Sequence, residues 1–259
     1  MQLVPVVSLL LFACSANALE SFTGYEGIAY ELSDGKMIYK ESHFLRVNEA
    51  RVTERVVLYR CPNGKPFARK LLTISAAQPL VPRFELIDAR QGYREGLKEN
   101  NGQLEVFYQL SQTKKRKHAQ VKQTEALVAD AGFDDFVRKN WTALVAGEAV
   151  KLDFVVPSQL DYLGFKVKLL RTEQMDGAGV RVFKLAPSGV LGWVTSGIDV
   201  TYTDADRQLR RFEGLSNIRD NAGENYEAKI DFPVNLRQPK LDAAAFEAAK
   251  TVSLAKLCN

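Results

Sequence analysis

The sequence predicts a mostly β protein: one large curved antiparallel sheet, a half-barrel or open barrel built as a meander, with a mid-chain helix and a C-terminal helix. Three observations carry that prediction. Apolar and polar residues alternate in run after run along the chain, as strands do when one sheet face is dry and the other wet. Turn formers such as Asp34-Gly35 and Asn63-Gly64 separate the alternating runs and favour tight hairpins. Helix-like sequence is confined to 130–141 and to the Ala-rich tail Leu241 to Leu257.

In chain order, Met1 to Ala18 reads as an export signal. Leu3 to Ala13 is apolar but too short to span a bilayer, and Ala16-Asn17-Ala18 offers small residues for cleavage. A second reading competes, in which Leu11-Phe12-Ala13-Cys14 is a lipoprotein box acylated at Cys14. With Cys14 cleaved or lipidated, Cys61 and Cys258 remain. An even pair in an oxidising compartment most simply forms one disulfide, the alternative being two free thiols.

Ile28, Tyr30 and Leu32 lead through Ser33-Asp34-Gly35-Lys36 into Met37 to Arg46, a hairpin. Val52 to Cys61 and Pro66 to Ile74 form another around Pro62-Asn63-Gly64-Lys65, and strands follow at Phe84 to Ala89 and Leu104 to Leu110. The run from Gln112 to His118 is basic and reads as a solvated hairpin tip, with a phosphate-holding or acidic-partner role as the alternative. In 130–141, Phe133, Phe136, Val137 and Trp141 recur at helical spacing. Asp130 is placed to cap the start, Asp134 and Asp135 lie near the positive end of the dipole, and Arg138 and Lys139 near the negative end. Strands resume at Val150 to Val156, Phe165 to Leu169, Val180 to Leu185, Ile198 to Tyr202, Leu209 to Ile218 and Tyr226 to Phe232. The tail is expected to be helical, its last turn delivering Cys258. No Gly/Ser linker interrupts the chain, so 19–259 is expected to be a single β-rich domain.

Composition excludes several functions. A net charge of +4 with nearly balanced acids and bases is no nucleic-acid signature. No stretch after the export segment is long and apolar enough for a transmembrane helix. Zinc, phosphate-loop, dinucleotide and serine-hydrolase motifs are missing, and two histidines cannot build a histidine-rich metal site. Neither metal, cofactor nor catalytic residue is expected. Period two puts Tyr39, Glu41 and His43 on one strand face, where Glu41 would orient His43 as a base, but no nucleophile accompanies them. Arg90 and Arg94, in a segment of paired charges and glycines from Asp88 to Gly96, either hold an anionic group or belong to a salt-bridged turn.

The order of elements resembles the periplasmic half-barrel superfamily of lipoprotein-localisation carriers and sigma-factor regulators, and the stretch Phe212 to Phe232 looks most like its uncharacterised bacterial members. That resemblance implies a curved sheet capped by helices, holding acyl chains in its hollow. The expected function is an exported, non-catalytic protein binding a lipid or other apolar small molecule, with Phe133, Phe136, Trp141, Tyr108 and Phe154 lining the hollow. The alternative is an interaction or assembly module with a filled core and an envelope protein as partner; a secreted hydrolase comes third.

Overall fold

The computed structural model describes residues 20–188 and 197–258. The expected export segment, with its alternative acylation at Cys14, lies outside the described residues. Eight strands come first: β1 (Ser21–Glu31), β2 (Met37–Asn48), β3 (Arg51–Arg60), β4 (Pro66–Thr73), β5 (Arg83–Asp88), β6 (Tyr93–Asn100), β7 (Gln103–Gln109) and β8 (Lys117–Val121). The short β9 (Leu127–Val128) leads into α1 (Gly132–Lys139) and α2 (Trp141–Val145). A second meander follows: β10 (Val150–Val156), β11 (Asp161–Met175), β12 (Ala178–Pro187), β13 (Ile198–Thr203), β14 (Leu209–Arg219) and β15 (Asn225–Asp231). The chain ends with β16 (Arg237–Gln238) and α3 (Ala243–Thr251).

Within each meander, sequential strands pair antiparallel. β15 returns to pair with β1, joining both halves into one open 16-stranded sheet. Among the described residues β9 alone is parallel to its neighbour, β10. The sheet curls until β8 comes alongside β11, and the 3₁₀ turn Pro157–Gln159 packs against β6 and β7. This is the expected half-barrel: the edges approach without pairing, as happens when a long twisted sheet stops short of closure.

Two strands escape the alternation pattern for physical reasons. In β6 the inward face carries Glu95 between Tyr93 and Leu97, so charge falls on both faces and period two is masked. Gly96 is required there, since a Cβ would sit 2.2 Å from the Phe84 carbonyl oxygen and 2.7 Å from the Phe107 ring. The edge strand β8 has only Ala119 and Val121 to turn inward, and the basic run before it is the hairpin tip expected from the sequence.

The mid-chain helix needs two corrections. Asp130 is not its cap. It takes φ 42°, its Oδ1 accepts from the Ala131 amide, and Ala131 occupies the N-cap without a side-chain bond. The helix also breaks at Asn140, whose Nδ2 donates to the Phe136 carbonyl at 2.8 Å, so Trp141 opens α2 rather than ending α1. The apolar stripe nevertheless survives. Phe133, Phe136, Val137, Trp141 and Leu144 form one buried cluster with Leu152, Val167, Phe183 and Tyr202 of the second meander.

A second, larger cluster fills the first meander around Tyr39, Tyr59, Phe67, Leu86 and Leu97. α3 lies on the outer face, Phe246 and Ala249 packing on Val56 and Leu58. Asp242 caps it, accepting from the Ala244 amide. The tail departs from expectation here. α3 stops at Thr251, and the following residues run non-helically beside β4, with Ala255 N–H donating to the Pro66 carbonyl at 2.7 Å. This path, not a helical turn, brings Cys258 to Cys61, and the two form a disulfide.

Candidate ligand-binding site

On the inner face of the first meander, register places Tyr25, His43, Val57, Lys70, Leu86, Glu95 and Tyr108 in one cross-strand row. Charged and apolar side chains therefore alternate across the wall of the hollow. Buried charges need partners, and most of these have them. Lys70 Nζ reaches Asp130 Oδ2 at 2.7 Å, both side chains nearly nine-tenths buried. Glu95 accepts the Tyr93 hydroxyl at 2.7 Å and the Asn217 amide at 3.3 Å, and burial pushes its carboxyl above the usual range. His43 Nε2 lies 2.8 Å from Glu41 and its ring stacks on Tyr25 at 4.2 Å.

α1 presents its acidic side to this wall. Asp130 meets Lys70; Asp134 Oδ1 accepts the Tyr202 hydroxyl at 2.7 Å, while its Oδ2 lies 3.7 Å from Arg55. The helix is thus held by packing on the second meander and by ion pairs to the first. Beside it, between α1 and the ends of β1 to β4, a cleft of about 1370 Å³ remains open. Leu45, Val52, Leu80, Val81, Leu127 and Leu209 supply its apolar surface, while Tyr25, Arg51, Arg55, Arg138 and Arg237 project into it with Asp134, Asp135 and Asp206.

The five aromatic residues expected to line a hollow do not line this cleft. Phe133, Phe136, Trp141 and Phe154 are brought together, Phe154 lying edge-on to Phe133 at 6.3 Å and Trp141 edge-on to Phe183 at 5.4 Å. They pack between the helices and the second meander, and Phe136 also borders a separate recess of about 210 Å³ beside Val150. Tyr108 stands apart on β7, half-buried, with Lys117 over its ring. Arg90 and Arg94 are also elsewhere. Arg90 makes a paired contact with Asp88, donates to the Arg219 carbonyl at 2.6 Å, and stacks on Phe67. Arg94 lies 3.6 Å from Glu85 on a more exposed part of the sheet.

Glu41 and His43 do share a face, as period two requires, but that face is the buried interior rather than a polar surface. The His43 Nδ1 is buried without a hydrogen-bond partner. Burial also lowers the imidazole pKa against the pull of Glu41. No hydroxyl or thiol is hydrogen-bonded to the imidazole among the described residues, so the pair lacks the nucleophile that a hydrolytic triad requires. Sequence reasoning missed Tyr25, Arg55 and Arg237. A periodic signal existed only for Arg55, an inward position of β3 in step with Val57 and Tyr59.

The sequence matches no family model and no curated protein. Solved structures with similar folds include a β-barrel-like protein of the domain of unknown function DUF1849 from Brucella abortus, at 10% identity over 83% of this chain and 98% of that one, with a TM-score of 0.45. An outer membrane lipoprotein-sorting protein domain from Vibrio parahaemolyticus aligns at 10% identity over 90% and 92%, with a TM-score of 0.30. A LolA superfamily protein from Nitrosomonas europaea aligns at 9% identity over 89% and 90%, with a TM-score of 0.22. At these identities and scores they assign no function to this chain.

Proposed function

We propose that this chain is an exported, non-catalytic binding protein that takes the apolar body of a lipid-like ligand into the cleft between α1 and strands β1 to β4. The observation that carries this reading is the cleft itself. Two buried clusters fill much of the hollow, yet about 1370 Å³ stays open, more than the roughly 300–1,000 Å³ of pockets for drug-sized ligands and room enough for an elongated molecule. The Cys61–Cys258 disulfide supports an oxidising compartment. No helix among the described residues is long and apolar enough to cross a membrane. N-Phenyl-1-naphthylamine should bind saturably at one site, and Thr53→Trp, on the cleft wall, should abolish it. Protein purified from the periplasm should also carry an extractable lipid by native mass spectrometry. Absence of both probe binding and co-purified lipid overturns the reading.

One observation favours the second reading, an interaction module. The aromatic stripe of α1 and α2 is closed core, so the side chains best suited to an acyl chain are already occupied. In that case the cleft binds no probe, and an envelope protein meets the outer surface.

A further inference from the structure

Two guanidinium groups on the cleft wall are not fully matched by acceptors. Arg55 is largely buried, with 13% of its side chain exposed, and its Nε is buried without a hydrogen-bond partner. It forms an ion pair with Asp134 Oδ2 at 3.7 Å, too long for a direct hydrogen bond, while Asp134 Oδ1 takes the Tyr202 hydroxyl. Across the strands Tyr25 stands directly opposite Arg237. The Tyr25 hydroxyl has no hydrogen bond among the described residues, and burial keeps the phenol protonated by pushing its pKa up. Arg237 donates once, to the Leu209 carbonyl at 3.3 Å, and has no carboxylate at ion-pair distance among the described residues. The other acids nearby are spoken for: Asp135 faces Arg138 at 3.2 Å, and Asp206 takes the Thr203 hydroxyl and the Gln208 amide. Glu49 and Glu125 also border the cleft but close no pair with these donors.

A buried guanidinium N–H without an acceptor, as at Arg55 Nε, is costly and calls for an explanation. An anion entering the cleft supplies one. We infer that Tyr25, Arg55 and Arg237 form the receptor for the anionic head, a carboxylate or a phosphate ester, of the ligand whose apolar body lies on Leu45, Val52 and Leu209. This inference rests on the cleft being the binding site. It assigns the anion contact to arginines other than Arg90 and Arg94, both of which are already paired.

The test compares three ligands of one chain length, each kept monomeric: laurate, dodecyl phosphate and dodecanol, read by displacement of N-phenyl-1-naphthylamine. At least one anion should bind about tenfold or more tightly than dodecanol, a difference of about 1.4 kcal/mol. Which anion wins separates a fatty-acid head from a phosphate head. Arg55→Gln should lower anion affinity about tenfold more than dodecanol affinity, erasing the preference, and Arg55→Lys should restore part of it. If Arg55→Gln fails to fold, Arg237→Gln and Tyr25→Phe carry the test, each lowering the anion preference alone. Displacement by all three ligands with equal affinity, unchanged in these variants, overturns the inference and leaves the cleft reading standing. No displacement by any of them, with no probe binding, overturns both.

Discussion

Lys70 and Asp130 meet at 2.7 Å across the hollow, a strand residue and the residue that turns the chain into α1, both side chains almost wholly buried. Asp130 pays for this position with a left-handed backbone, φ 42°, one that Asp and Asn tolerate better than other non-glycine residues. The pair fixes the start of α1 on the first meander, while Phe133, Phe136 and Val137 fix its length on the second. α1 is therefore a strut between two half-sheets, and the cleft beside it has a rigid wall.

Breaking that pair on one side should be costly. Lys70→Met leaves Asp130 charged and buried, and the loss expected for an uncompensated buried charge is roughly 3–5 kcal/mol. The double variant Lys70→Met with Asp130→Asn should recover a large part, because Asn accepts the same backbone and carries no charge. Urea denaturation of the single and double variants measures this. A single variant as stable as wild type would show that the ion pair does not hold the helix.

Trp141→Ala should destabilise by roughly 3–5 kcal/mol, as truncation of a buried aromatic does, since the ring is 8% exposed and lies edge-on to Phe183. Affinity for a probe in the cleft should hardly change, because Trp141 is not part of its wall. Loss of probe affinity with unchanged stability would make the helix pair a lid instead of core.

Reduction should loosen the tail before the sheet. The Cys61–Cys258 bridge spans 197 positions, for which loop-closure entropy sets an upper figure of about 5 kcal/mol. Phe246 is buried independently on Val56 and Leu58, so α3 should stay docked in the reduced protein. Hydrogen exchange should therefore rise at the Ala255 amide and little at Phe246. Equal exchange at both positions, reduced and oxidised, contradicts this.

His43 makes stability pH-dependent in a definite direction. Burial lowers its folded pKa below the unfolded value of about 6.5. Between the two values the unfolded chain holds a proton that the folded chain does not, so stability falls as pH drops through about 6.5, and the His43 contribution is fully lost below the folded pKa. His43→Gln should remove this component. Denaturation midpoints of wild type and variant between about pH 7.5 and 5.5, bracketing the ordinary histidine value, should diverge, with wild type falling faster. Parallel curves would mean that the imidazole titrates in the fold as it does in the open chain.

By itself the sequence determined nearly every strand of the second meander, both early hairpins, the aromatic helix stripe and the pairing of Cys61 with Cys258. These follow from local rules: period two marks a half-dry strand, Asn-Gly and Asp-Gly mark tight turns, and period 3.6 marks a helix face. Local rules fail where a charge faces inward. β6 was hidden because Glu95 sits in the interior, and the inward Glu41–His43 pair is indistinguishable in sequence from a solvated strand surface. Only the tertiary structure decided which apolar residues were core and which charged ones lined a cavity. Period 3.6 places Phe133, Phe136 and Trp141 on one face, but whether that face meets a wall or a ligand depends on how far the second meander curls. Tyr25, Arg55 and Arg237 become neighbours only because β16 returns to β1 and β2 sets β3 beside it. No local pattern encodes that closure, since it comes from strand register summed across the sheet.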